Sequence, residues 1–317
     1  TIGEELPEEP IDDWERWTRE RAQKRARDGT AGHWSNYVKA PLVYLQDRLK
    51  GQRLRGMNGL VSGNIPQAAG LFPSSALASA LVVGTLEACL HLNGLHFPPE
   101  EFVEFCGMAE WYIGTRGGSG DHGAIKFSRQ GFLSHIGFFP LEVELVPFPA
   151  DYRVAICNTG VLAQKAAGAR DIFNQRGAAY QIGLMLIKQR FLHFAHRLPR
   201  FGDLNSANLG VDEATIYELL LSLPQTITRK EIAVVLPDQV RATCRSPLLQ
   251  RLYGSHADPP GGHLVRQVCL FGVAECQRGA MAVDRLRVGD VEGFGELMNL
   301  SHEGDRTAAK WLPGQLP

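Results

Sequence analysis

After an apolar, helix-forming stretch and before a run of expected strands the chain reads Gly114-Thr-Arg-Gly-Gly-Ser-Gly-Asp121-His-Gly123. Four glycines in seven residues are costly in a helix or strand interior, because glycine gives up more backbone freedom on folding than any other residue. The stretch is therefore a tight loop. Two readings fit it: a surface turn ending in a solvated carboxylate, or main chain that a ligand approaches closely. In the second reading Asp121 is a candidate general base or metal ligand. The glycine order is not that of the dinucleotide fingerprint, and no strand directly precedes it.

A second loop stands upstream, Pro66-Gln-Ala-Ala-Gly70-Leu-Phe-Pro-Ser74-Ser75-Ala76, and opens an apolar helix that should end at Asn93-Gly94. A helix N-terminus presents unpaired N–H groups and a positive dipole end, which suits an anion. Ser74 and Ser75 offer hydroxyls to a phosphate or to Mg²⁺. Taken alone, the loop is read more simply as ordinary serine N-capping. No Gly-Lys-Ser/Thr follows, so this is not a Walker loop.

Composition removes several alternatives. Thirty-three Lys+Arg against thirty-four Asp+Glu leave a net charge of −1, which gives no lean toward nucleic acid or an anionic membrane. The basic residues of 16–27 are interleaved with acids and read as the solvated face of a helix that also carries Trp14 and Trp17 on one side. No apolar run reaches the ~18 residues of a membrane span, and no signal peptide is visible. Six scattered cysteines without a C-x-x-C read as free, mostly buried thiols in a reducing, cytoplasmic setting. No histidine spacing points to a metal, and nothing in the sequence sets an oligomeric state.

The 317 residues suffice for one large or two ordinary domains. A change near residue 150, from glycine loops and strands to helices, suggests lobes of 1–150 and 151–317. Helices are expected over 12–28, 35–49, 76–92, 98–111, 164–194 (with a break near Gly177 or Gly183), 211–222, 228–235, 263–288 and 291–300. Strands are expected over 124–129, 132–137, 141–146 and 152–157, and an irregular end from Glu303.

Taken together, the two loops resemble those of the GHMP small-molecule kinases, most closely the galactokinase branch. Other segments agree: His33-Trp-Ser-Asn-Tyr-Val38; Asn158-Thr-Gly-Val161 with Ala167-Gly168 and Phe173-Asn-Gln-Arg176; and Leu286-Arg-Val-Gly-Asp-Val-Glu-Gly-Phe-Gly-Glu-Leu-Met298 with Ser301-His302. The resemblance covers roughly 33–302. It implies an α+β, two-lobed fold with the active site in the cleft between lobes, and ATP-dependent phosphorylation of a sugar or sugar-acid hydroxyl with Mg²⁺. Its residue assignments are Gly70, Ser74, Ser75 and Ala76 on the phosphate loop, Ser75 toward Mg²⁺, and Asp121 as catalytic base. Gly117, Gly118 and the position of Phe173 fall beside the sugar. Arg116 adds a guanidinium fork that meets either a substrate carboxylate or phosphate, or a group of the protein.

This chain departs from the pattern at several points. The serine loop is one residue longer and contains Pro73. His122 replaces a usual Gln, and Phe173 replaces a Tyr. Neither the family's Gly-Glu-His-x-Asp-type motif nor its Gly-Gly-Gly-Phe-Gly-Gly-type loop occurs in these residues. A second reading therefore stands beside the kinase: a non-catalytic relative that senses sugar or nucleotide and binds a protein partner.

Overall fold

A computed structural model describes residues 6–7, 9–31, 33–62, 73–114, 118–157, 168–235 and 256–310, with backbone alone at 73–78, 168–171, 173 and 305–310. The chain divides into two compact units, Thr1–Ala163 and Gln164–Pro317.

The first unit is built on helices α1 (Trp14–Arg27), α2 (Ser35–Arg48), α3 (Pro73–Leu92), α4 (Pro99–Glu110) and α5 (Gly120–Phe127). Asp13 caps α1 by accepting the Arg16 N–H at 2.9 Å. Trp14 and Trp17 do share a face and stack at 5.3 Å. Trp14 donates its indole N–H to the Met108 carbonyl at 2.8 Å, which fastens α1 to α4. Of the basic residues on α1, Arg25 is the exception to a solvated face. It is buried, lies 4.0 Å over the Tyr112 ring and donates to the Tyr112 carbonyl. The core combines Val43, Tyr44 and Leu45 of α2, Leu86 of α3, and Val103, Phe105 and Cys106 of α4. Tyr37, Leu42 and Leu49 pack at its margin.

β1 (Phe132–Gly137) and β2 (Glu142–Pro147) form a two-stranded antiparallel sheet running from the Phe132–Pro147 pair to Gly137–Glu142. Two strand expectations fail. Residues 124–127 belong to α5, because the run Gly-Ala-Ile-Lys-Phe is too short to define a period and continues the turn begun at Gly120. Residues 152–157 pair with nothing among the described residues and leave Val154 and Ile156 about 70% exposed. β-branched content marks a segment able to pair, and pairing needs a partner that a local pattern does not declare.

The described helices of the second unit are α6 (Gly168–Arg190), α7 (Ser206–Leu209), α8 (Glu213–Leu221), α9 (Arg229–Val235), α10 (Val265–Arg287) and α11 (Val291–Lys310), with one antiparallel bridge between Ile227 and His263. Its core gathers Ile182, Ile187, Leu198, Ile216, Leu220, Leu223, Val265 and Cys269. The break expected in α6 does not occur. A Cβ on Gly183 would collide with Cys269 Sγ, so this glycine lets α10 approach an unbroken helix. Gly289 ends α10 with φ 74°, and Asp290 then caps α11 by accepting the Gly293 N–H at 2.8 Å. α11 runs on to Lys310 instead of stopping near 300, and Ser301 donates to Glu275 of α10 at 2.7 Å. In the same unit His256 and His263 meet through their Nε2 atoms at 2.9 Å, both buried.

Cys89, Cys106 and Cys269 are buried thiols whose pKa burial pushes up, to about 12 for Cys269. Cys157 and Cys276 are exposed. No described helix is long and apolar enough to cross a membrane.

Candidate active site

Helix α3 begins at Pro73, so Ser74, Ser75 and Ala76 form its first turn. Proline is favoured there, since its fixed φ suits the helix and its missing N–H is one the first turn leaves unpaired anyway. Gly70 lies outside the described residues.

The glycine-rich stretch follows α4. A short 3-10 turn, Trp111–Ile113, closes on Gly114 at φ 106°, a left-handed conformation that a side chain would strain. Arg116 and Gly117 lie outside the described residues. Gly118 is exposed, and Ser119 rests against Gly107 of α4, where a Cβ would come within 3.0 Å of the Ser119 Cβ. α5 starts at Gly120, which places Asp121 in its first turn. There a carboxylate faces the positive end of the helix dipole. Asp121 is exposed while His122 and Gly123 are buried, so the helix turns its acid outward and its imidazole inward.

His122 is wholly buried, and neither ring nitrogen has a hydrogen-bond partner. Glu110 Oε2 lies 3.5 Å from Nε2. Desolvation lowers the His122 pKa to about 4, so the contact at neutral pH is a neutral ring beside a carboxylate and not an ion pair. An unsatisfied buried polar group of this kind costs about 1–3 kcal/mol. Tyr37 belongs to the same neighbourhood: burial, then the Glu110 charge, raises its phenol above the usual value. The resemblance marked residue 122 as a departure without giving it a role, and Glu110 had no sequence signal. The two are twelve positions apart in the sequence, and no single helical or strand period links them.

α3 packs against α5, and Lys126 of α5 meets Glu87 of α3 at 2.6 Å. The helix opened by Ser74-Ser75-Ala76 and the helix that carries Asp121 are thus neighbours in one unit. Phe173 lies on α6, with its side chain outside the described residues. Among the described residues no group of three or more His, Cys, Asp or Glu is placed to hold a metal.

Residues 36–129, which span α2 to α5, match the family model for the GHMP kinases N terminal domain. Within that family, the chain's similarity is to the galactokinase branch. It is 30% identical over 208 residues to a galactokinase of Dictyostelium discoideum, covering 64% of this chain and 41% of that protein. It is 25% identical over 272 residues to one of Enterococcus faecalis, covering 85% and 55%. The chain thus spans about half the length of the curated relatives it matches. Among solved structures, Lactococcus lactis galactokinase complexed with galactose superposes with a TM-score of 0.50 at 22% identity, over 86% of this chain and 56% of that one. At that identity the likeness speaks to the fold, which is α+β of the GHMP kinase type.

Proposed function

We propose that this chain carries the phosphate-loop and catalytic-loop portion of an ATP-dependent sugar kinase. The reaction transfers the γ-phosphate of ATP to a hydroxyl of a monosaccharide or sugar acid. One observation carries the reading: an exposed Asp121 opens α5, which packs on the helix begun by Ser74-Ser75-Ala76, inside a GHMP kinase N-terminal domain.

Phosphoryl transfer asks a protein mainly for positioning and charge neutralisation. The acceptor oxygen bonds to the γ-phosphorus, the bond to the β–γ bridging oxygen breaks, and ADP leaves. The acceptor proton passes to the Asp121 carboxylate. First-turn amides of α3 and the Ser74 hydroxyl suit the phosphates, with Gly70 leaving room for their approach. Mg²⁺ typically binds through one or two protein oxygens, waters and substrate phosphates, so the lack of a three-residue cage among the described residues fits a metal that arrives with ATP. Ser75 would be its protein oxygen, and the ion would neutralise charge on the β- and γ-phosphates.

On the acceptor side, the resemblance assigns Gly117 and Gly118 to the sugar. Phe173 brings no hydroxyl where the family has tyrosine, and Arg116 suits a carboxylate. The acceptor panel therefore runs from galactose through other hexoses and pentoses to uronic acids, with ADP release as the readout. Sugar and nucleotide binding with no turnover on any acceptor would instead establish a non-catalytic sensor. For Asp121→Asn we expect turnover lower by roughly two to four orders of magnitude, the usual range for losing a general base. Its melting temperature should not change, because the side chain is exposed. Near-normal turnover in that variant would remove Asp121 from the mechanism.

A further inference from the structure

Glu110 is the last residue of α4, and His122 lies in the first turn of α5. The glycine-rich stretch runs between them, so their 3.5 Å contact joins its two ends. Both are withdrawn from solvent: the imidazole wholly, the carboxylate to 14% exposure. The contact is too long for a hydrogen bond, yet both His122 nitrogens have no other partner. A native buried polar group left in this state calls for an explanation. Packing alone gives none, since an apolar side chain of similar volume would fill the same space without the desolvation penalty. Hydrogen bonds that serve a reaction are often long in the free enzyme and tighten once substrate is bound.

We propose that Glu110 and His122 are a positioning pair, a clasp across the base of the glycine-rich stretch that ties the start of α5 to the end of α4 and so aims Asp121. With the acceptor bound, His122 Nε2–H donates to Glu110, and the start of α5 is held against the end of α4. This role rests on the kinase reading, but the clasp itself is measurable without turnover.

The test uses the full chain with His122→Met, which fills the space without a donor, and His122→Gln, which keeps one. Hydrogen exchange of the backbone amides of residues 118–123 with a saturating acceptor of the panel bound is the first readout. His122→Met should exchange at least fivefold faster there, with α2 unchanged and a melting temperature no lower than wild type. His122→Gln should stay within twofold of wild type. The second readout is steady-state kinetics with the best acceptor of the panel. The acceptor KM should rise about tenfold in His122→Met while the ATP KM holds, and His122→Gln should restore it. A side chain that only packs would lower the melting temperature and move both KM values together. Should His122→Met fail to fold, Glu110→Gln probes the contact from its other end and should shift the same amides and the same KM. Unchanged exchange at 118–123, or an unchanged acceptor KM in an active background, overturns the clasp. A wild-type protein inactive on every acceptor sinks the kinase reading alone, and the exchange rates then decide the clasp by themselves.

Discussion

His122 and His263 are both buried and neutral, with pKa values lowered to about 4, for His263 by desolvation first and the adjacent His256 second. An unfolded histidine titrates near 6.5, so between pH 6.5 and 4 the unfolded chain binds more protons than the folded one. The stability these rings allow is complete above pH 6.5 and is lost as pH falls toward 4. Each pKa unit corresponds to about 1.4 kcal/mol, so the loss should amount to a few kcal/mol. Urea unfolding at pH 7.5 and 4.5 measures it, and His122→Met should lose less than wild type over that interval. A midpoint that rises on acidification would contradict the burial of both rings as neutral groups. Asp121 shows how much a single residue can declare. Its place after a glycine-rich loop was legible in the sequence, but its outward face was not, because that follows from His122 and Gly123 turning inward.

At the scale of elements, capping chemistry and apolar periodicity told most. Asn93-Gly94 and Gly289-Asp290 end their helices where the sequence places the stops, since a left-handed glycine and an acceptor side chain act locally. The run Leu286 to Met298, the most specific part of the family resemblance, is in the structure a helix stop followed by a helix start, with Asp290 serving both Gly293 and Arg285. Where long-range contact decides, local reading fails. Gly183 looked like a helix break and is a crossing point with α10. Gly183→Ala should cost about 1–3 kcal/mol in urea unfolding, the usual penalty for overpacking a tight core. A substitution without effect would mean that Cys269 can move aside. The segment 152–157 failed for a related reason, because strands are made by partners and none is found among the described residues.

For the whole molecule, a net charge of −1 gives no overall electrostatic pull on an anionic nucleotide. On the proposed reading, attraction would come from groups close to the phosphates, and long-range steering would be small. Raising ionic strength from 50 to 300 mM should change kcat/KM for ATP by no more than about threefold, far less than a steered association would show. A steep decline would reveal a charged approach route not apparent from the net charge. Each of the two compact units closes its own apolar cluster, so burial is solved separately within Thr1–Ala163 and Gln164–Pro317. The sequence by itself determined most helices, the β1 and β2 strands, the helix stops and the family the chain resembles. Each of those is written in residues a few positions apart, through backbone freedom, capping and amphipathic period. Only the tertiary structure decided that α3 lies against α5, that Asp121 faces solvent, and that Glu110 comes within 3.5 Å of a buried His122. Those facts depend on which faces pack together, and the cost of burying a polar ring appears only once the core around it has closed.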